Sequence, residues 1–529
     1  MKKLSKVLAL LLSALVLLSL VTPTFAEERS GRNVPNIHIR GMAGDIVNAE
    51  GEEIDNRAFP EGGLAGMVKD CMPSFLNALK EDTDEAWDAY RAKLFPAVKG
   101  CFGPMWLDKN GEASDGSYQR FNWRREPVTD NRGPDGYGFD SYPMVCDWRL
   151  DPFVNADELN DYIQEIKRVT GSDKVNIDAR CEGANILAAY LAKYGYEDLH
   201  CIQFYSPTLY GAELADGLFS GNIHIDGDAL ARYKDVKFKI EDELTNELVN
   251  AILEFAGDTL LLDVTAFSLD LLFMKLYGEV IAPLVRETYG TFPGFWAMVS
   301  KKNYSAARKG IFKGCEDEYA GLIEKVEHYN KDVRQHLDEL LLGAKKAGVP
   351  VAVFCYYGDY QVPPITENAN ELSDNTIILK NTSLGATTAK YGKTLSAKQL
   401  KKAAENGTDK YISPDKMVDA STCLFPDTTW FIWDCPHELF PDYIFDRLAE
   451  FYYADGDMTV FSNPDFPQYL IAHTDPEDSD VGYLEPMTDE NAPTINAPSR
   501  NIRTVDWKDM IFRLLKAIWA FFTNWLKNR

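Results

Sequence analysis

The chain predicts an α/β protein: a mostly parallel central sheet with flanking helices and one large helical insertion. Three observations lead there. Short apolar runs alternate with helical patterns along most of the chain, as strands joined by crossover helices do. A strand-like run, Val175 to Asp178, turns abruptly into a helical pattern, Ala184 to Tyr194, around Cys181 and Gly183. Between about 210 and 329 the alternation gives way to long helical stretches rich in leucine and phenylalanine.

In chain order, residues 1–26 carry Lys2, Lys3 and Lys6, an apolar run from Val7 to Val21, and Thr24-Phe25-Ala26 before Glu27. That is a secretory signal cut after Ala26, with an apolar core too short to span a bilayer. It predicts a secreted or cell-surface protein. Asn36 to Arg40 is the first strand, followed by excursion loops up to Tyr142 that contain a helix around Glu85 to Phe95. Pro143 to Trp148 is the next strand, and Asp157 to Thr170 has apolar residues at helical spacing. His200 to Tyr205 is another buried strand.

The insertion, about 210–329, sits where a lid or cap would, with helices predicted at Leu244 to Phe255 and Leu260 to Tyr277. A helix from Asp332 to Ala347 leads into the strand Val351 to Tyr356. After a polar insertion, Thr428 to Trp433 is expected as the last strand, followed by a helix from Asp442 to Tyr452. The catalytic domain therefore runs 27–475. Acidic, Pro- and Asn-containing residues 476–504 read as a linker. Residues 505–529 form a basic amphipathic helix: Trp507, Met510, Ile511, Leu514, Ile518, Phe521 and Trp525 line one stripe beside Lys508, Arg513 and Lys516. Two readings of it stay open: contact with a membrane surface through 507–526, or docking on the domain itself or another copy.

Composition narrows the function classes. The formal charge of −26 becomes −29 once the three lysines of the first 26 residues are removed. A surface that acidic repels phosphate backbones, so nucleic acid is not a partner. Nine cysteines leave at least one unpaired within a single chain. Cys146, Cys201 and Cys355 read as buried thiols within strands, and Cys71 with Cys101 is the pair best placed to bridge the N-terminal excursion. No cofactor or metal is implied, because histidines and cysteines lack ligand spacing and no phosphate loop or dinucleotide fingerprint occurs.

The chemistry centres on Ala179-Arg180-Cys181-Glu182-Gly183, which has the form of a nucleophile elbow, G-x-S-x-G, written A-x-C-x-G. A side chain held on a sharp strand-to-helix turn needs small flanking residues. Acyl transfer further requires a base, an acid to orient it, and donors for the oxyanion, with nucleophile, acid and histidine in that chain order. His437, just after the predicted final strand, is the candidate base. Asp359, ending a strong strand, and Asp409, before the turn Tyr411 to Pro414, are the candidate acids. The oxyanion donors are the backbone N–H groups of Met42, in the small-residue turn Ile39 to Gly44, and of Glu182. Arg180 and His437 favour the thiolate of Cys181, whereas the charge of Glu182 opposes it.

Ser141 to Arg149, with Asp147-Trp148-Arg149 closing an aromatic strand ahead of the elbow, resembles the lipase and lecithin:cholesterol acyltransferase-like branch of the α/β-hydrolases. The likeness extends over residues 35 to 205 and, more loosely, 345 to 455. It implies an α/β-hydrolase fold with the insertion as cap, an acyl ester or lipid-like substrate, and an acid in a later turn, which favours Asp409 over Asp359. Two departures stand out: Arg40-Gly41 replaces the family's His-Gly, and Cys181 replaces its serine. A cysteine at the elbow is similar to dienelactone hydrolases and polyhydroxyalkanoate synthases.

The expected activity is acyl hydrolysis or transfer on esters or thioesters through Cys181, His437 and Asp409. The alternative is an inactive hydrolase scaffold that holds an apolar ligand at the cell surface. A cysteine peptidase of another fold would carry a Cys–His pair without the strand–elbow–helix arrangement.

Overall fold

Six apolar runs become neighbours in one sheet, and two later segments extend it. The computed structural model describes residues 34–495 apart from 43, 55–62, 102–104, 122, 126, 132–141, 234–269, 271, 364–365, 440, 442, 446–448, 455, 476–477 and 480. The strands are β1 (Asn36–Ile39), β2 (Tyr142–Met144), β3 (Val175–Arg180), β4 (Leu199–Tyr205), β5 (Val351–Tyr357), β6 (Thr429–Trp433), β7 (Tyr469–Thr474) and β8 (Gly482–Pro486). Their order is β8-β7-β6-β5-β4-β3-β1-β2, and every neighbouring pair is parallel except β7 with β8. This is an α/β-hydrolase fold. The predicted leader 1–26 and the amphipathic segment 505–529 lie outside the described residues.

Strands β3 to β6 are buried on both faces, which is why they read as continuous apolar runs rather than alternating ones. Ile37, Ile177, Ala179, Phe204 and Val353 face three helices: α3 (Pro152–Thr170), α4 (Gly183–Tyr194) and α7 (Leu337–Lys346). Cys201, Phe354, Tyr356, Trp430 and Ile432 face the opposite way, onto Phe445, Tyr452 and Phe466. Helix α3 shows how local chemistry sets an element. Asp151 caps it by accepting the Phe153 N–H at 3.0 Å, Pro152 pre-sets its first turn, and Gly171 ends it at φ 67°. Its buried stripe is Phe153, Ala156, Leu159, Ile163 and Ile166.

Several expectations need correction. The predicted strand Pro143 to Trp148 stops at Met144, because the chain turns through Asp147 to Arg149. Arg149 is fully buried. Its guanidinium forks onto Asp147 at 2.9 and 2.7 Å and donates to the Met105 carbonyl at 2.9 Å and the Ser117 hydroxyl at 3.1 Å. The Asp-Trp-Arg motif thus cements β2 to the N-terminal excursion. Asp147→Ala leaves that cation uncompensated and should cost about 3–5 kcal/mol of stability in denaturant unfolding. A loss below about 1 kcal/mol would mean that the carbonyl and hydroxyl partners suffice.

The helix expected over Asp332 to Ala347 begins only at Leu337, as α7; Asp332 instead ends a preceding helix, α6 (Ala320–Asp332), and a 3₁₀ turn at Arg334–His336 joins the two. Arg334 turns inward there, donating to the carbonyls of Val299 and Trp296. The excursion after β1 holds not one helix but two, α1 (Gly63–Glu81) and α2 (Asp84–Cys101). They contribute to a common cluster with Val280, Leu276 and Leu284, so the excursion joins the insertion. Cys71 is a free thiol rather than half of the expected bridge. Cys146, Cys201 and Cys355 are buried thiols outside any disulfide, as expected.

Strand β6 is not the last. β7 follows it, and β8 lies inside the stretch read as linker. β8 is an edge strand whose Tyr483 is 60 % exposed, so its composition has no buried face to reveal. Within the insertion, the described part packs Phe219, Trp296, Phe312 and Leu322 together. Leu244 to Phe255, and most of the helix expected at 260–277, lie outside the described residues.

Candidate active site

Strand β3 delivers Cys181 to the carboxyl edge of the sheet in a conformation that only a tight turn demands. Its φ is 52°, in the left-handed region, which costs a non-glycine residue of order 1 kcal/mol or more. The surroundings over-determine it. The Cys181 N–H donates to the Tyr205 carbonyl at 3.1 Å, and its carbonyl accepts from the Thr208 N–H at 3.2 Å and hydroxyl at 3.0 Å. Asn185 donates to the Thr208 hydroxyl at 2.6 Å, and the Tyr329 hydroxyl donates to Asn185 at 2.9 Å.

The small residues follow from close packing of the β1 turn on this elbow. A Cβ added at Gly183 would lie 2.7 Å from the Arg40 carbonyl oxygen and 2.9 Å from that of Ile39. One added at Gly41 would lie 2.8 Å from the Cys181 Cβ. Gly183 also opens α4, which has no side-chain cap, so the positive dipole end of that helix sits at the thiol.

Opposite it, β6 ends at Trp433 and the chain turns through Asp434 at φ 60° to His437, which is 7 % exposed. The backbone N–H of His437 donates to the Asp374 carbonyl at 2.8 Å, and its Nδ1 meets Asp374 Oδ2 at 2.7 Å. With Nδ1 committed to the carboxylate, Nε2 is the atom left to serve the thiol. Nε2 is buried and makes no aligned hydrogen bond, yet the ring and the Cys181 sulfur are close enough for each to shift the other's protonation. Approach without alignment is common before substrate binds. Arg180, one residue before the nucleophile, donates to the His437 carbonyl at 2.6 Å.

The electrostatics favour a thiolate–imidazolium pair. Burial by itself would raise the Cys181 thiol, but His437, the Arg180 guanidinium and the Glu182 backbone N–H outweigh it and bring the thiol below its ordinary value. Burial likewise disfavours a charged imidazole, but Asp374 and the Cys181 sulfur overcome it and hold His437 well above its ordinary value. Glu182 does not oppose the thiolate as its formal charge suggests. Its side chain is 1 % exposed with neither oxygen partnered, and burial, then Cys181 and Asp147, push its carboxyl well above the usual range. The dry surroundings thus favour its uncharged form.

The carboxylate on His437 is therefore Asp374, not Asp409 or Asp359. Asp409 begins an exposed 3₁₀ turn, and Asp359, also exposed, takes the Tyr391 hydroxyl. Neither is a partner of His437. The chain runs on past the end of β5 before Asp374 returns to the sheet edge. There its Oδ1 accepts the N–H groups of Thr376 at 3.0 Å and Ile377 at 2.7 Å, with Asn375 at φ 84°. The signal in the sequence was Ser373-Asp374-Asn375 flanked by Leu372 and Ile377, a turn signature within the stretch read only as polar insertion. Of the two expected oxyanion donors, the Glu182 N–H reaches the Cys181 sulfur, and Met42, 39 % exposed, follows Gly41, which lies against Cys181.

No protein-family model matches the chain, and no curated protein matches it. Two solved structures show weak likeness. In the crystal structure of the Tle4-Tli4 complex, 14% identity and a TM-score of 0.24 accompany coverage of 61% of this chain and 75% of that one. For Kex1(Δ)p, a prohormone-processing carboxypeptidase from Saccharomyces cerevisiae, the values are 10%, 0.17, 62% and 66%. Likeness at this level does not bear on activity.

Proposed function

We propose that the protein is an acyl hydrolase or acyltransferase that works through a cysteine acyl-enzyme. The observation that carries this reading is His437 set between Asp374, on its Nδ1, and the Cys181 sulfur. Cys181 thiolate adds to the substrate carbonyl carbon, and the oxygen takes the electron pair, stabilised by the N–H groups of Glu182 and Met42. Imidazolium His437 then gives its proton to the leaving alcohol or thiol, leaving a thioester on Cys181. Neutral His437 takes a proton from water or an acceptor hydroxyl, which attacks the thioester and releases the acyl group. The thiolate–imidazolium pair returns. The neutral Glu182 carboxyl spares the oxyanion a repulsive charge.

Esters or thioesters with lipid-like acyl groups are the proposed substrates, on the strength of the family resemblance. Export, carried by the basic, apolar and small-residue pattern of the first 26 residues, belongs to the same proposal. Incubation with p-nitrophenyl acyl esters should add the acyl mass to the peptide carrying Cys181, and Cys181→Ala should abolish both that adduct and turnover. Full hydrolysis by the Cys181→Ala protein would sink the reading. A thiol that labels only after unfolding would point instead to a scaffold that binds an apolar ligand without turning it over.

A further inference from the structure

We propose that Glu213 is a positioning residue for the Asp374–His437 pair, anchoring the turn that presents the carboxylate. The inference rests on the reading of the site above. Asp374 sits in a short hairpin, closed by the Ser373–Ile378 bridge and by the Asp374 N–H donating to the Ile377 carbonyl at 3.1 Å. The base of that hairpin is tied to a different element. Glu213, in the first turn of α5 (Glu213–Ser220) and 3 % exposed, accepts the Ile378 N–H at 3.0 Å on one oxygen and the Asn381 side-chain amide at 3.0 Å on the other. Helix α5 follows β4, so the connection after the strand beside the elbow strand holds the acid that serves the histidine. His437 in turn bonds Asp374 through both its backbone N–H and its Nδ1, so a shift of this turn reaches the imidazole directly.

The carboxyl also carries a titration of its own. Its hydrogen-bond partners are donors, which favours the ionised form. Burial, first, and the negative neighbours Asp216 and Asp374 oppose it and prevail, raising its pKa to about 8. Asp216 faces it from its own helix and Asp374 from the hairpin, while Ile378, Asn381 and Asn368 bring uncharged groups. Glu213 is thus neutral at pH 7. Above about pH 8 it adds a negative charge beside Asp374, which strengthens the hold on the imidazolium and so on the thiolate.

The test is the rate of iodoacetamide alkylation at Cys181, followed on its own peptide from about pH 6 to about pH 10. Wild-type protein should show a depressed thiol pKa with a further inflection near 8. Glu213→Gln keeps an acceptor oxygen and removes the titration, so it should match wild type at neutral pH and lose that inflection. Glu213→Leu removes the anchor and should lower the neutral-pH rate by about tenfold or more, with kcat falling and KM unchanged on an acyl ester. A Glu213→Gln profile superimposable on wild type, or a folded Glu213→Leu protein alkylated at the wild-type rate, overturns the inference while the function stands. A wild-type thiol titrating at its ordinary value would remove the proposed function and this role with it.

Discussion

Asp374→Asn is expected to lower turnover of an acyl ester by about 10³–10⁴-fold while the protein stays folded. The carboxylate holds the Nδ1–H tautomer of His437 and stabilises its charged form. An asparagine amide pointing an N–H at Nδ1 would instead favour the tautomer whose proton sits on Nε2, the atom that must then accept one from water or an acceptor hydroxyl. The turn itself should survive, because an asparagine oxygen can still accept the N–H groups of Thr376 and Ile377. Asp409→Ala and Asp359→Ala should stay within roughly twofold of wild type, as surface changes away from the chemistry do. Steady-state rates and melting temperatures of the three variants decide the matter. A comparable collapse in Asp409→Ala, or less than a tenfold loss in Asp374→Asn, would return the acid to the wrong carboxylate.

His437→Ala should be at least as damaging, about 10⁴-fold or more in kcat, and its signature lies in pH. In wild type the thiol is lowered and the imidazole raised, so each partner favours the charged form of the other. Activity should fall on the acid side as the thiolate takes up a proton, at a pH below the ordinary thiol value of 9.0, and on the alkaline side as the imidazolium loses one, well above 6.5. Without His437, burial meets only Arg180 and the Glu182 N–H, so the thiol should move up. Alkylation of Cys181 at neutral pH should then drop by about tenfold or more, since the thiolate is the nucleophile. Unchanged alkylation would mean that Arg180 and the helix end alone hold the sulfur ionised.

What the sequence disclosed was mainly what burial and steric need write into it. The elbow was legible because backbone approach dictates Gly183, and β3 to β6 because both their faces are buried. His437 was legible from its place after a strand. Asp374 was not, because the acid is fixed by a turn of three residues, and nothing in such a turn marks it out among the aspartates of an acidic chain. Edge strand β8 was hidden for the opposite reason to β3: half-exposed, it is free to be acidic and proline-containing. The charge on Glu182 was misread since a formal charge says nothing about the dry environment that removes it.

The bond from Arg180 to the His437 carbonyl joins residues 257 apart in the chain. Everything that makes Cys181 acidic, apart from the start of α4 and its neighbour Arg180, is contributed by residues beyond 370. A chain still being made, or one that has frayed at β5 and β6, therefore lacks the imidazole that lowers this thiol. The sulfur is armed only when the last part of the sheet closes over the first. Completion of folding thus decides how readily this thiol gives up its proton.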